Sequence, residues 1–253
     1  MNRTFLSCIV WVGVSLMILG GAGVASGATF SVNPIRVVLT PRAASALVTV
    51  RNDGTEPLRF QVNVFKWDQD ARGQIQLAPT EDMIVFPLMM TLQPKEERSV
   101  RVGAATPFGA IEKSYRLVIE ELPPLVRSAE QANVRMLTRM GVPIFLEPPS
   151  PKAAAVLTDV ALGPGGLTFT LRNTANVFFI PDAVTVKAFD EHGKEVLDRT
   201  LESWYVLAAG SRVFEVAVPH PLCEQVRSFT ISVDVGKTPM KARLETPASA
   251  CGR

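Results

Sequence analysis

Hydrophobic and polar residues alternate along most of the chain beyond residue 29. In residues 47–52, 60–65 and 99–104, every second position is apolar over most of the run. This period of two is typical of a β-strand that buries one face. Turn-forming residues separate the runs, as in Asn52-Asp53-Gly54 and Asp70-Ala71-Arg72-Gly73. Short strands at this spacing predict an all-β fold built from sandwiches.

A proline-rich connector, Glu147-Pro148-Pro149-Ser150-Pro151, divides the alternating pattern into two halves. Proline fixes φ and lacks the N–H that a sheet needs, so this segment is a stiff linker and not a strand. The halves are alike, because Val50-Arg51-Asn52-Asp53 in the first corresponds to Leu171-Arg172-Asn173-Thr174 in the second. We therefore predict one domain over residues 28–148 and a second of the same fold over residues 149–253. Chance likeness between two β-rich halves is the alternative.

The first 28 residues have the order of a secretory signal. Arg3 and the amino terminus supply positive charge, an apolar run extends from Phe5 to Gly20, and small residues follow at positions 21–28. This order predicts a cleaved signal peptide over residues 1–27, with cleavage after Gly27 or Ala28. A retained membrane anchor is the alternative, but the apolar run is short of the roughly 20 residues that span a bilayer.

The cysteines bear on the same compartment. Cleavage of the signal removes Cys8 and leaves Cys223 and Cys251. In an oxidising compartment these two could form a disulfide, and the alternative is two separate thiols. The sequence does not decide between them, because a disulfide needs two Cα atoms within a few ångströms of each other.

Charge and composition argue against several classes of function. The chain has 26 Lys and Arg residues, 24 Asp and Glu residues and no basic run, which argues against nucleic-acid binding. Its two histidines, His192 and His220, lack the spacing of a catalytic triad or a metal site. The sequence contains no Gly-x-Ser-x-Gly elbow and no phosphate-binding glycine loop. We therefore predict a protein that is not an enzyme, with no catalytic residues, cofactor, metal or small-molecule substrate.

The segment over residues 133–146 carries the most informative alternation. One face is mostly apolar, and the other carries Arg135 and Arg139. The segment is either a half-buried strand of the domain's own core or an edge strand whose apolar row is offered to another chain. Pro143 fits an edge, because proline cannot donate a ladder hydrogen bond. The apolar row consists of Val134, Met136, Thr138, Met140 and Val142.

Several of these stretches together resemble the periplasmic pilus-assembly chaperones of the chaperone–usher type, the PapD-like family. The most specific stretch is Glu112-Lys113-Ser114-Tyr115-Arg116-Leu117, which runs on to Glu120-Glu121-Leu122-Pro123-Pro124. The opening strand at residues 30–37 and the segment Ile144-Phe145-Leu146-Glu147-Pro148 complete the likeness over nearly all of the first domain. The segments at residues 80–86 and 124–133 look more like the archaic, spore-coat-like branch.

The resemblance implies two immunoglobulin-like β-sandwich domains in a boomerang arrangement. It implies a periplasmic chaperone that binds pilus subunits, caps them by donor-strand complementation and delivers them to an outer-membrane usher. In donor-strand complementation, a strand of the chaperone pairs with the open edge of an incomplete subunit, and its alternate side chains fill the subunit's groove. The donor side chains would be those of the apolar row, Val134 to Val142.

The family also implies two charged sites. A pair of basic residues in the cleft holds the subunit's terminal carboxylate, and Arg36 matches the first of them. The second, usually a lysine, aligns with Pro143, which leaves Arg139 as the candidate. An interdomain cluster of two acids and an arginine is also expected, with the acids at Glu121 and Asp234. Glu147 stands at the arginine position, so the predicted cation is Arg101.

Two functions of other classes compete with this prediction. One is a two-domain immunoglobulin-like structural or adhesive binding module of the cell surface. A pilin would normally be a single incomplete sandwich with an N-terminal donor extension, for which the segment before Arg36 leaves little room. The other is a periplasmic enzyme on a sandwich scaffold, which would need a cluster of acids, histidines or metal ligands.

Overall fold

The computed structural model describes residues 29–124, 136–236 and 238–246. In these ranges the chain is almost entirely β-structure, with one short helix, α1 (His220–Cys223). The strands of the first half are β1 (Phe30–Asn33), β2 (Val37–Leu39), β3 (Ser45–Asn52), β4 (Leu58–Gln69), β5 (Ile75–Pro79), β6 (Met83–Phe86), β7 (Met89–Leu92), β8 (Glu97–Ala104), β9 (Lys113–Leu122) and β10 (Arg139–Leu146). The strands of the second half are β11 (Ala155–Gly163), β12 (Gly166–Asn173), β13 (Ala183–Phe189), β14 (Glu195–Leu201), β15 (Ser211–Val216), β16 (Ser228–Val235) and β17 (Thr238–Glu245).

The first half forms a sandwich of two sheets. One sheet has the order β1-β3-β8-β6, and the other has the order β2-β10-β9-β4-β5, with β7 also paired to β4. The apolar positions of the alternating runs meet between these sheets. Val48, Val50, Phe60, Val62 and Val100 are all fully buried there. One face of each strand therefore supplies the core, as the period of two predicts.

The second half repeats this architecture. One sheet has the order β11-β12-β15, and the other has the order β14-β13-β16-β17. Its core is separate from the first and includes Leu167, Phe169, Val184, Val186 and Ile231, all fully buried. The connector at residues 147–151 lies between β10 and β11.

A buried asparagine supports the use of one fold twice. Asn52 Nδ2 donates to the carbonyl oxygens of Leu92, Gln93 and Glu56, and the Asn52 Oδ1 accepts the N–H of Gly54. Asn173 repeats this network in the second domain. Its Nδ2 donates to the carbonyls of Val206, Leu207 and Val177, and its Oδ1 accepts the N–H of Ala175. Asn52 and Asn173 belong to the two stretches, residues 50–53 and 171–174, that are alike in sequence.

Strand β10 changes its surroundings along its length. All of it pairs antiparallel with β9, from Arg139 opposite Glu120 to Leu146 opposite Lys113. Only Ile144 to Leu146 also pair with β2, in parallel. Within the described residues, the half from Arg139 to Pro143 thus has a partner strand on one side only. In the described part of the chain this half of β10 is thus a strand edge, whereas Ile144 to Leu146 lie between two strands. That the apolar row is offered to another chain stays a prediction.

The two domains meet at an aromatic cluster. Trp67 and Phe145 of the first domain pack with Phe178, Tyr205 and Leu207 of the second. The Phe145 and Phe178 rings stack with centroids 3.9 Å apart, and Trp67 meets Tyr205 edge-on at 5.3 Å. Backbone bonds join the same region, because Val213 N–H donates to Ala71 O at 2.7 Å. We call this region the junction.

Two predictions concern the ends of the chain, the signal peptide and the disulfide. Both involve residues that the structure does not describe. The predicted signal peptide over residues 1–27 lies outside the described residues, so its cleavage stays a prediction. Cys223 is disulfide-bonded, but Cys251 lies outside the described residues, so the pairing of these two cysteines also stays a prediction. In the part of the chain that the structure describes, no helix is long and apolar enough to span a membrane.

Candidate functional site

The candidate site is the outer face of the β2-β10-β9-β4-β5 sheet next to the junction, which we call the cleft face. Inward residues of β9 and β10, such as Leu117 and Ile144, belong to the core. The residues between them point to the other side, so Arg116, Pro143 and Phe145 lie on the cleft face. The second domain covers the end of this face at Phe145. Arg116 and Pro143 lie directly opposite each other on neighbouring strands.

Arg116 packs against Trp67 and Gly141 on the cleft face. Its guanidinium carbon lies 4.4 Å from the centroid of the Trp67 ring. The side chain extends across Gly141, since a Cβ added at Gly141 would lie 3.1 Å from Arg116 Nη1. Its Nε is buried without a hydrogen-bond partner. Burial lowers the pKa of Arg116, whereas Tyr205 raises it, and an arginine in a protein keeps its charge.

Arg36 lies on the other side of Pro143. It immediately precedes Val37, which pairs with Ile144, so its place in the register is beside Pro143. Arg36 is exposed, and its guanidinium carbon lies 5.6 Å from the centroid of the Phe178 ring. Neighbouring strands lie about 4.8 Å apart, which places the backbones of Arg36 and Arg116 roughly 10 Å apart across Pro143.

Arg139, the second predicted anchor, is not at this place. It lies four residues before Pro143, about 13 Å along the strand. Its Nε lies 3.8 Å from Glu120 Oε2, and both side chains are about half exposed. The cation beside Pro143 is instead Arg116. Arg116 belongs to the motif at residues 112–117 but has no role predicted from sequence, because the local sequence does not contain the strand pairing that puts it opposite Pro143.

The predicted donor side chains run from the core outwards. Val142 is buried in the core of its own domain, and Met140 is half-buried against that core. Thr138 is exposed, and Met136 leaves 73% of its surface exposed. Val134 lies outside the described residues. The apolar row therefore fills its own core at one end and faces solvent at the other.

The predicted interdomain charge cluster is not formed. Glu121 lies at the far end of β9, nine residues from Glu112 at the junction, or roughly 30 Å along a strand. Arg101 belongs to the opposite sheet, on β8, and is exposed on the outward side of a strand whose Val100 and Val102 point inwards. Asp234 lies on β16 of the second domain. The structure therefore separates the three residues. Sequence spacing alone did not show which end of β9 meets the second domain.

Glu112 is the acid that the junction contains. It is only 7% exposed, its N–H donates to Asn176 O at 2.9 Å, and its Oε1 accepts the N–H of Phe178 at 2.9 Å. Burial raises the pKa of Glu112 to about 7, the Phe178 bond opposes that rise, and the nearby Glu147 adds to it. Glu112 is the first residue of the motif that carries the family resemblance. That position is the feature by which the sequence could have identified Glu112 as a functional residue.

Histidines and potential metal ligands lie apart in the described part of the chain. The described residues contain no group of three or more His, Cys, Asp or Glu side chains that could hold a metal ion. His192 and His220 are exposed, and each lies near a glutamate of its own turn or helix. Among the described residues, the cleft face contains apolar side chains, Arg36, Arg116 and a strand, β10, that is unpaired on one side over half of its length.

One family profile matches the first part of the chain. Residues 29–152 match the profile of the family described as "Pili and flagellar-assembly chaperone, PapD N-terminal domain". No curated protein sequence matches the chain.

Solved structures share the fold over both domains. A chain of the CsuC–CsuE chaperone–tip adhesion subunit pre-assembly complex, from archaic chaperone-usher Csu pili of Acinetobacter baumannii, is 19% identical. The match covers 85% of this chain and 98% of that one, with a TM-score of 0.59. The E. coli chaperone DraB is 18% identical, with 88% and 97% covered and a TM-score of 0.57. A chain of the Salmonella enterica SafA pilin–SafB chaperone complex is 15% identical, with 87% and 98% covered and a TM-score of 0.57.

These likenesses confirm the predicted all-β fold of two immunoglobulin-like domains. They also confirm the resemblance that the motifs of the first domain carry. Residues 29–152 therefore belong to the PapD N-terminal chaperone domain family, and the whole chain shares its two-domain fold with the solved chaperone structures.

Proposed function

We propose that this protein is a periplasmic chaperone that caps incomplete pilus subunits by donor-strand complementation and delivers them to an outer-membrane usher. The observation that carries the proposal is the half-free edge of β10. Among the residues that the structure describes, Arg139 to Pro143 have a partner strand on one side only, and the nearby Met136 is 73% exposed. An exposed edge with apolar side chains is a site at which another chain can add a strand.

The subunit edge would pair with β10 on the side away from β9. Backbone groups of β10 would then bond to the subunit, and the donor side chains that its own core does not fill would enter the subunit's groove. Met136 and the half-buried Met140 are the available side chains among the described residues. Methionine suits this role because its unbranched chain adapts to irregular apolar pockets. Capping of the groove would keep an incomplete subunit soluble.

Arg36 and Arg116 would hold the subunit's terminal carboxylate. They flank Pro143, the position at which the family usually has its second base. Arg116 is half-buried over the Trp67 ring, and its Nε is buried without a hydrogen-bond partner among the described residues. A carboxylate would supply the missing acceptor and a counter-charge, and charge-assisted bonds of this kind contribute about 1.5–3 kcal/mol.

The compartment and the lack of catalysis belong to the same proposal. The disulfide at Cys223 supports an oxidising compartment, as the periplasm is. The cleft face, with an open strand edge and two cations, suits the binding of a peptide terminus. We propose no catalytic activity for it.

The direct test is subunit capture by variants of the two arginines. A pilin encoded beside the chaperone would be diluted from denaturant into the chaperone, and the soluble complex would be measured. Arg36→Ala and Arg116→Ala should each weaken capture about tenfold or more. Arg139→Ala is the matched control and should capture normally. A melt of each free variant would show that the sandwich is intact.

A second subunit separates carboxylate binding from general damage. This subunit would carry two extra C-terminal residues, which move its carboxylate away from Pro143. Extension and the Arg116→Ala change should then not add, because both remove the same contact. Full additivity, or normal capture by both arginine variants, would contradict the anchor. Failure of the unmodified chaperone to form any complex with the pilin would contradict the chaperone proposal itself.

A further inference from the structure

A buried acid stands at the end of β9 that is far from the junction. The inward residues of β9 are Tyr115, Leu117 and Ile119, and Glu121 occupies the next position in this row. Glu121 is 1% exposed, and its cross-strand neighbour on β4 is the fully buried Phe60. Burying a carboxyl group is unfavourable unless it makes hydrogen bonds, so its partners indicate its role.

Glu121 holds Thr138 by two hydrogen bonds. The Glu121 N–H donates to Thr138 O at 2.9 Å, as in an ordinary antiparallel pair. In a regular ladder the Thr138 N–H would return a bond to the Glu121 carbonyl. Here the Thr138 N–H donates to the side chain instead, to Glu121 Oε2 at 3.2 Å. The carboxyl group thus takes a bond that the backbone would otherwise make.

This contact lies where the donor strand leaves its own sheet. The register of β10 with β9 begins at Arg139, the residue after Thr138. On the other side of Thr138, Leu137 and Met136 are 46% and 73% exposed. Glu121 therefore holds a residue that lies between Met136 and Met140, inside the segment that the proposed function gives to the subunit.

We propose that Glu121 is a positioning residue that fixes the register of the donor strand, an inference that rests on the proposed function. The register matters because side chains alternate between the two faces of a strand. A slip of one residue would turn Met136 and Met140 away from the subunit and present Arg139 in their place. A clamp at Thr138, between the two methionines, opposes such a slip.

The clamp predicts that subunit capture depends on the Thr138 contact and not on stability alone. Leucine at position 121 would continue the apolar row of β9, but it would leave the Thr138 N–H without its acceptor, which costs stability. Glu121→Leu should therefore weaken capture by more than its lowered melting temperature explains. Glu121→Gln keeps an acceptor and should restore capture.

The experiment compares Glu121→Leu, Glu121→Gln and Glu120→Leu with the unmodified protein. Glutamine keeps an oxygen for the Thr138 N–H, and Glu120, which is exposed on the outer side of the same strand, is the matched control. Exchange of the Thr138 amide would be followed by NMR in the free proteins. Capture would be followed with the pilin encoded beside the chaperone. Glu121→Leu should speed Thr138 exchange and weaken capture, each about tenfold, and the other two variants should change neither.

Three results would overturn the clamp. The first is unchanged Thr138 exchange in Glu121→Leu, and the second is a loss of capture that only follows a lowered melting temperature. The third is faster exchange with normal capture, since capture would then not depend on the contact. If the unmodified protein captures no pilin, the proposed function has failed. The Thr138 amide then decides whether Glu121 holds the strand: faster exchange in Glu121→Leu supports the hold, and unchanged exchange refutes it.

Discussion

Glutamate and arginine residues occur at both ends of the β9–β10 strand pair, but they make different contacts at each end. At the junction end, Glu112 is buried and accepts a backbone N–H from the second domain, and the half-buried Arg116 has no ion pair with an acid of the described residues. At the free end, Glu121 is buried and accepts a backbone N–H from the donor segment, and Arg139 is exposed beside Glu120. Residue type and burial alone therefore do not define a role. The place along the strand decides whether an acid holds a domain or a strand.

The largest difference between the two ends should be in core stability. Ile144 is fully buried near the junction, whereas Leu137 is 46% exposed at the free end. Ile144→Ala should destabilise the free protein by about 2–5 kcal/mol, because it leaves a cavity in a packed core. Leu137→Ala should change stability by about 0.5 kcal/mol or less. Chemical denaturation of both variants measures the contrast, and equal losses would show that the free end is packed as firmly as the junction.

The junction end should also respond to pH. Because burial raises the pKa of Glu112 to about 7, the folded state holds this proton more tightly than the unfolded state, in which the pKa is 4.5. The resulting stability is complete below the unfolded pKa and is lost as pH rises through about 7. Glu112→Gln keeps an oxygen for the Phe178 N–H and cannot ionise.

The measurement for this prediction is the melting temperature between pH 5 and pH 8, with the range set by the two pKa values. The advantage of Glu112→Gln over the unmodified protein should grow as the pH rises. Glu120→Gln at the exposed free end is the control and should leave the pH dependence unchanged. Parallel curves for Glu112→Gln and the unmodified protein would mean that Glu112 keeps its ordinary acidity at the junction.

Only a small effect is expected from the exposed ion pair of the free end. Arg139 and Glu120 are about half exposed and their charged atoms lie 3.8 Å apart, so water and salt screen the pair. Arg139→Ala should lower the free energy of unfolding by about 1 kcal/mol or less. Urea denaturation at low and high salt tests this. A larger loss that persists at high salt would show that Arg139 stabilises the fold. That result would contradict the distinction between the exposed Arg139 and the half-buried Arg116.

The fold could be predicted from the sequence because its signals are local. Alternation in residues 47–52 marks a strand wherever the chain goes, and the repeated asparagines, Asn52 and Asn173, mark the same turn of the fold in both domains. The site depends on pairings between distant segments. Pro143 lies opposite Arg116, which is 27 positions earlier in the chain, and no local pattern contains that contact. Glu121 was assigned to the junction for the same reason, since its motif does not show which end of β9 meets the second domain.

The central claim is that the free end of β10 fills a partner's groove, and Met136 tests it most directly. Met136 is 73% exposed, and Met89 on β7, which is 58% exposed, offers a matched control away from the strand. Neither Met136→Ala nor Met89→Ala should move the melt of the free protein. In the complex with its pilin, Met136→Ala should lower stability by about 2–5 kcal/mol, as truncation in a filled apolar pocket does. Met89→Ala should leave the complex unchanged. Equal stability of the complexes formed by the Met136→Ala variant and the unmodified chaperone would contradict the claim.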